Sequence, residues 1–250
     1  MAGPMVHGRR DYNDPQRYYR ITETFAGPGY MDGQAPTTEQ ALGLYDWDQA
    51  GTNPLDAARY NTEAGAFAVK GLLVNAALDD NTRWNLYNQN VSALNTGLRF
   101  RVRIRHGATD GGAGTVDSTA DFYWHMGLSD GTGGDCRVAG AQELLGFRFD
   151  TAVDGNVYGV VKTGAGAGNE SVVSLGAASN AAWHTYELRL GAAAVQFYRD
   201  GVQMGSAPLT NMPNAGLYAS NMRLQNLANP AAALKEVRIT FWDLIAPTGY

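Results

Sequence analysis

The sequence predicts an all-β chain folded as two packed antiparallel sheets, and three observations carry that prediction. Apolar and polar residues alternate strictly in GLRFRVRIRH (97–106) and WHTYELRLG (183–191), the two-residue period of half-buried strands. Glycine reaches 31 of 250 residues while charged residues make up 17%, below the usual quarter, as many turns between short strands require. Strand-like segments number about a dozen, and hardly any helix accompanies them, which is the pattern of an antiparallel sandwich. At 44% hydrophobic the chain can bury one large core, so residues 21–250 are expected to form a single sandwich behind an arm of residues 1–20.

Residues 21–30, ITETFAGPGY, read as a first strand closed by a Gly-Pro-Gly turn. Residues 31–63 read as loop, with a helical turn or two over Glu39 to Tyr45. AGAFAVKGLLVN (64–75) gives one or two short strands, and LDDNTRWNLYNQNV (78–91) reads as a polar connection. In 97–106, Leu98, Phe100, Val102 and Ile104 share one face, and Arg99, Arg101, Arg103 and Arg105 share the other. DFYWHMGLSDG (121–131) sets Phe122, Trp124, Met126 and Leu128 against Tyr123 and His125. ELLGFRFD (143–150) points Leu145, Phe147 and Phe149 inward and Arg148 outward. NVYGVVKTG and SVVSLG flank AGAGNE as a hairpin, and AVQFYRDGVQMGS (194–206) is a hairpin pivoting on Asp200-Gly201. EVRITFWDL (236–244) is the last strand.

Composition excludes several function classes. A net charge of −5 argues against wholesale nucleic-acid binding. One cysteine, Cys136, excludes an internal disulfide framework and a Cys-based zinc site. The first twenty residues lack the apolar stretch of a secretory signal, and no apolar run reaches membrane-span length, so a soluble chain made in the cytoplasm is expected. Those twenty residues differ from the rest. Arg9, Arg10, Arg17 and Arg20 outnumber Asp11 and Asp14, and Tyr12, Tyr18 and Tyr19 lie among them. Tyr and Arg are enriched at interface hot spots. Arg9, Arg10, Tyr12, Arg17, Tyr18 and Tyr19 are therefore the expected contacts of a docking arm, on a neighbouring subunit or folded back on its own sandwich.

The stretch GFRFDTAVDGNVYGVV (146–161), with WHTYELRL (183–190) and AVQFYRDGV (194–202), resembles the concanavalin A-like lectin/glucanase superfamily, including its laminin-G-type modules. That resemblance implies a jelly roll, covers roughly residues 97–245 by pattern, and extends to virion proteins of tailed bacteriophages. Laminarinase-type members are implied to place a Glu, an Asp and a second Glu on near-alternate positions of one strand. Retaining hydrolysis needs carboxylates about 5–5.5 Å apart, which same-face strand neighbours supply. The seven glutamates here, Glu23, Glu39, Glu63, Glu143, Glu170, Glu187 and Glu236, include no two within fifteen residues of each other. A carboxylate pair would have to assemble across strands. Legume-type lectins carry a strand like GFRFDT with a Glu two residues before the Asp, both binding a metal. Asp150 matches, but Arg148 stands in the Glu position and would repel a cation.

Other candidates are weaker. Arg99, Arg101, Arg103 and Arg105 form a basic row about 20 Å long, read as a carboxylate ladder, a subunit interface or a face for an anionic glycan. Tyr123 and His125, with Trp84, would make a sugar-stacking platform on the polar face of their strand. His106 and His184 show no metal-like spacing, and all the histidines read as non-catalytic. The loops TDGGAGTVDSTAD (109–121) and SDGTGGD (129–135) have the composition but not the spacing of a calcium loop. The expected cofactor set is none, with calcium the alternative.

These readings converge on a non-enzymatic virion structural protein, a bacteriophage capsid decoration (cement) protein. It would contact capsid or other virion subunits through arm and sandwich and assemble as a homo-oligomer, a trimer by expectation. The alternatives are a glycan-binding, host-attachment module on a virion or tail, and a polysaccharide hydrolase or lyase with a non-standard site.

Overall fold

A computed structural model describes residues 18–23, 47–51, 58–61, 69–74, 81–91, 94–106, 122–130, 135–179, 182–214, 218–226 and 235–247. Its strands are β1 (Tyr18–Glu23), β2 (Trp47–Gly51), β3 (Ala58–Asn61), β4 (Val69–Val74), β5 (Asn81–Val91), β6 (Arg99–His106), β7 (Phe122–Ser129) and β8 (Leu144–Asp150). They continue as β9 (Asn156–Lys162), β10 (Glu170–Ala177), β11 (His184–Leu190), β12 (Ala194–Arg199), β13 (Val202–Pro208), β14 (Tyr218–Asn226) and β15 (Lys235–Pro247). Every pairing between them is antiparallel. An eight-stranded sheet runs β13-β12-β11-β6-β15-β4-β3, with β1 also on β15, and faces a seven-stranded sheet ordered β10-β9-β8-β7-β14-β5-β2.

The alternation read from the sequence sets the core. Phe100, Val102 and Ile104 of β6, Tyr186 and Leu188 of β11, and Trp242 and Leu244 of β15 meet Trp124, Met126 and Leu128 of β7 and Phe147 and Phe149 of β8 in one buried cluster. Phe100 lies 4.5 Å from Trp242 and 5.6 Å from Phe147, centroid to centroid, bridging the two sheets. Such aromatic pairs contribute roughly 0.5–1.5 kcal/mol each beyond the area they bury. At the β12–β13 hairpin Asp200 and Gly201 take φ 51 and 82, the paired positive angles of a type I′ turn that Asp-Gly favours.

Three expectations change. Residues 78–91 do not form a polar connection: β5 fills 81–91, an eleven-residue strand laddered to β14 on one side and β2 on the other. Asparagine is a poor strand former, but pairing on both sides overrides propensity. Residues 47–51 and 58–61, read as loop, are strands β2 and β3 at the sheet margins. Tyr18, Tyr19 and Arg20, assigned to the arm, belong to β1 and pair with Pro247, Ala246 and Ile245 of the same chain. The helical turn at 39–45, the loop residues 107–121 and the segment 131–134 lie outside the described residues.

Candidate functional site

The two sheets each turn one face to the core, leaving two outer faces, and the candidate residues divide between them. On β6 the arginine row points outward, away from Phe100, Val102 and Ile104. Register places Arg99 and Arg101 beside Arg189 and Glu187 of β11, and Arg101 beside Asp243 of β15. Arg99 Nε lies 2.8 Å from Glu187 Oε1 and its Nη2 donates to Oε2 at 2.9 Å, while Arg189 Nε donates to the same carboxylate. Arg101 Nη2 donates to Asp243 Oδ2 at 3.3 Å, and Arg20 Nε and Thr22 Oγ1 of β1 donate to Oδ1 at 3.3 and 2.7 Å. Burial works to raise the pKa of Glu187, but hydrogen bonds from Arg189 and Arg99 overcome it and hold the carboxyl below its ordinary value.

Aromatic rings carry the other side of these guanidinium groups. Arg101 stacks over Phe241 at 4.8 Å, Arg103 and Arg105 over Trp183 at 5.6 and 5.1 Å, and Arg189 over Tyr198 at 4.3 Å. The carboxylate ladder expected as one reading of the row is therefore present, on a face that stays open: Arg189 is 47% exposed and Arg101 34%.

Tyr123 and His125 lie on the opposite side of the molecule, on the outer face of the seven-stranded sheet, and both are fully buried. The predicted stacking platform is corrected accordingly, because a strap, residues 135–142, covers it. The Cys136 backbone N–H donates to Tyr123 OH at 3.1 Å, and Arg148 Nη1 donates to the Cys136 carbonyl at 3.0 Å. Lys162 Nζ donates to the carbonyls of Gly140 and Gln142 at 2.6 and 2.9 Å. Gly140 is required there, since a Cβ would lie 1.9 Å from the Asp135 carbonyl oxygen. Trp84 pairs in register with Met222 and Gln49, and its side chain lies outside the described residues, as do Arg9, Arg10, Tyr12 and Arg17 and the side chain of Tyr19.

Beneath the strap is a hydrogen-bonded relay. Asn221 Nδ2 donates to Ser129 Oγ, so Asn221 Oδ1 accepts from His125 Nε2 at 3.0 Å. His125 Nδ1 is then the acceptor for the Tyr123 hydroxyl at 2.7 Å. Burial, reinforced by the Arg223 charge, lowers the pKa of His125 to about 3, so the ring is neutral. Burial pushes the Cys136 thiol up to about 12. Arg148 meets Glu170 through two bonds of 2.7 and 3.1 Å, so the cation in the lectin metal position is paired with a carboxylate.

Two carboxylates from different segments lie on this side of the molecule. Asp135 is gripped by Arg137 at 2.7 Å, and Arg137 lies over the Tyr123 ring at 5.4 Å. Asp150, at the end of β8, stands in the fields of both Arg137 and Asp135. Burial raises Asp150; burial also works to raise Asp135, but the hydrogen bonds of Arg137 prevail and lower it. Residues of β14 that share the face, Asn221, Arg223 and Gln225, were missed in the sequence, although YASNMRLQN alternates and carried the signal. Among the described residues no group of three or more His, Cys, Asp or Glu is disposed to hold a metal.

Solved structures match this architecture over most of the chain. The chain has the concanavalin A-like jelly-roll fold. A protein of unknown function from Shewanella oneidensis MR-1 aligns with 93% of the chain and 87% of its own at TM-score 0.56 and 13% identity. Bacillus licheniformis β-glucanase aligns with 90% of the chain and 97% of its own at TM-score 0.51 and 14% identity. An immunostimulatory antigen and pseudo β-1,3-glucanase of Mycobacterium tuberculosis aligns with 91% and 98% at TM-score 0.54 and 11% identity. At such identities the likeness concerns the fold. No family model matches the sequence, nor does any curated protein.

The expectation of a non-enzyme is corrected by these matches, because glycoside hydrolases share this jelly roll. Asp135 and Asp150 are brought to one face by a strap and a strand, which no local motif reveals.

Proposed function

We infer that the chain is a virion structural protein, a capsid decoration protein of a tailed bacteriophage that grips neighbouring shell subunits. One observation carries this reading: the root of the N-terminal segment and the arginine row share a face. β1 lies along β15, and Arg20 and Arg101 hold the same Asp243 carboxylate. β1 thus begins at the margin of the open arginine–aromatic face, and arginine and aromatic residues dominate protein–protein contacts. Arm and face would engage adjacent subunits together, each holding the other in reach. Mass spectrometry of purified particles tests the reading. It predicts this chain in the particle and its loss from the particle when residues 2–17 are deleted; particles without the chain contradict it.

A second reading, glycan binding or processing, is favoured by the β-glucanase fold and by Asp150, a buried carboxyl whose pKa burial raises beside Arg137 and Arg148. A panel of β-glucans tests it: turnover or binding that is lost in Asp150→Asn supports this reading, and a blank panel removes it.

A further inference from the structure

We propose that Arg199, His184 and Asp200 form an acid-sensitive latch that ties the two sheets together at one edge of the sandwich. β13 and β10 end their respective sheets on this side and lie against each other. They approach so closely that a Cβ on Gly205 of β13 would lie 2.8 Å from Val173 Cγ1 of β10. Arg199, the last residue of β12 in the eight-stranded sheet, crosses this edge. Its Nη1 donates to the Leu175 carbonyl of β10 in the seven-stranded sheet at 2.7 Å. Gly176 makes room for the guanidinium. It takes φ 83 where the register of β10 on β9 shifts, and a Cβ there would lie 2.6 Å from Arg199 Nη1.

The other arm of the guanidinium fixes the state of the histidine. Arg199 Nη2 lies 2.7 Å from His184 Nε2, and His184 Nδ1 lies 2.7 Å from Asp200 Oδ2. A guanidinium can only donate, so Nε2 holds a lone pair, Nδ1–H donates to Asp200, and the ring is neutral. The hairpin holds Asp200 in place, because its Oδ1 accepts from the Thr185 N–H and its own N–H donates to the Thr185 carbonyl, both at 2.8 Å. A second proton on the ring would put an N–H on Nε2, setting donor against donor and cation against cation. The contact with Arg199 is then lost, and ring and guanidinium compete for Asp200, which already lies 4.0 Å from Arg199 Nε. One proton thus removes the partner that aims Arg199 at Leu175.

The groups around the ring leave it as the one that changes. Among the described residues it is faced by Asp200 from the turn, Arg199 from β12, Tyr186 from its own strand at 6.3 Å between ring centroids, and His106 of β6 through its field. Burial works to raise the pKa of Asp200, but hydrogen bonds from the Thr185 N–H and His184 prevail and hold it below its ordinary value. Burial pushes Tyr186 up to about 12, and burial, with the field of His184 second, lowers His106 to about 3. Asp200 therefore stays charged and the other two stay neutral between pH 5 and 8, the range in which imidazoles change charge. Water reaches the His184 side chain, which is 17% exposed.

Hydrogen exchange of the full-length chain at about pH 7.5 and about pH 5, corrected for the intrinsic effect of pH on the chemistry, tests the latch. In acid, residues 170–177 and 202–208 should accelerate at least about tenfold more than residues 144–150, whose exchange follows the whole fold. His184→Gln offers an amide oxygen to Arg199 and an amide N–H to Asp200 and does not titrate, so it should abolish that excess. Equal acceleration of the two regions overturns the proposal, as does an excess that persists in His184→Gln. Ring ¹⁵N shifts of His184 in the unaltered chain give a second reading. They should place the proton on Nδ1 at about pH 7.5, and a proton on Nε2 at that pH overturns the latch.

Discussion

The two outer faces of the sandwich use the same two-residue alternation and end in opposite states. Every second residue of β6 faces outward and is at least partly exposed, as the arginine row requires. Every residue of β8 is buried, because the strap covers the face that would otherwise meet solvent. The open face holds its charges in pairs and stacks at its surface. The closed face holds Arg148 with Glu170, the relay of Tyr123, His125 and Asn221, and Lys162 on two strap carbonyls. Alternation shows which residues share a face; whether the face is covered depends on a distant segment. The energetics follow from this difference, since an ion pair in water contributes little and a buried one is costly to break.

Acid is the broadest way to break the closed side and the core behind it. Burial is the first cause holding both His125 on the covered face and His106 in the core near a pKa of 3, below the ordinary 6.5. The folded state therefore binds fewer protons than the unfolded chain in that window. The stability these groups contribute is whole above pH 6.5 and is lost as pH falls toward 3. The loss should approach about 2.7 kcal/mol per pH unit for the pair well below 6.5. Urea unfolding midpoints across pH 7 to pH 4 read it directly; midpoints that stay flat would show the histidines to be solvated.

Arg148→Ala should cost about 3–5 kcal/mol, because it leaves Glu170 buried without its bidentate partner and removes a clamp on the strap. Tyr123→Phe should cost about 1–3 kcal/mol, stranding the Cys136 N–H and His125 Nδ1 under the strap. On the open face, Arg103→Ala should change stability by no more than about 0.5 kcal/mol, since its guanidinium only overlies Trp183 at the surface. Chemical denaturation of these three variants sharpens the comparison. An Arg103 loss as large as that of Arg148 would erase the distinction between the faces.

Most of the jelly roll was legible from residues 97–106, 121–131, 143–150 and 183–206, where apolar and polar residues alternate cleanly and Asp200-Gly201 marks its hairpin. β5 escaped because asparagines mask a strand whose stability comes from neighbours on both sides. The closed face was half legible. Tyr123 and His125 were assigned to the correct side of their strand, but their cover comes from the strap, DCRVAGAQ, whose sequence gives no sign of where it folds. Asp135 was hidden for the same reason, because it comes to this face only as the first residue of the strap.

The single thiol of Cys136 offers the most direct test that one face is closed while the other is open. It is buried beneath the strap, donates to the Glu143 carbonyl, and has its pKa raised to about 12 by burial, so neither access nor ionisation favours attack. Labelling the native protein with an aromatic disulfide reagent at about pH 8, where an ordinary exposed thiol is substantially ionised, should proceed no faster than unfolding, and Arg148→Ala should accelerate it. Labelling of the native chain at the rate of an exposed cysteine would show that the strap does not close this face.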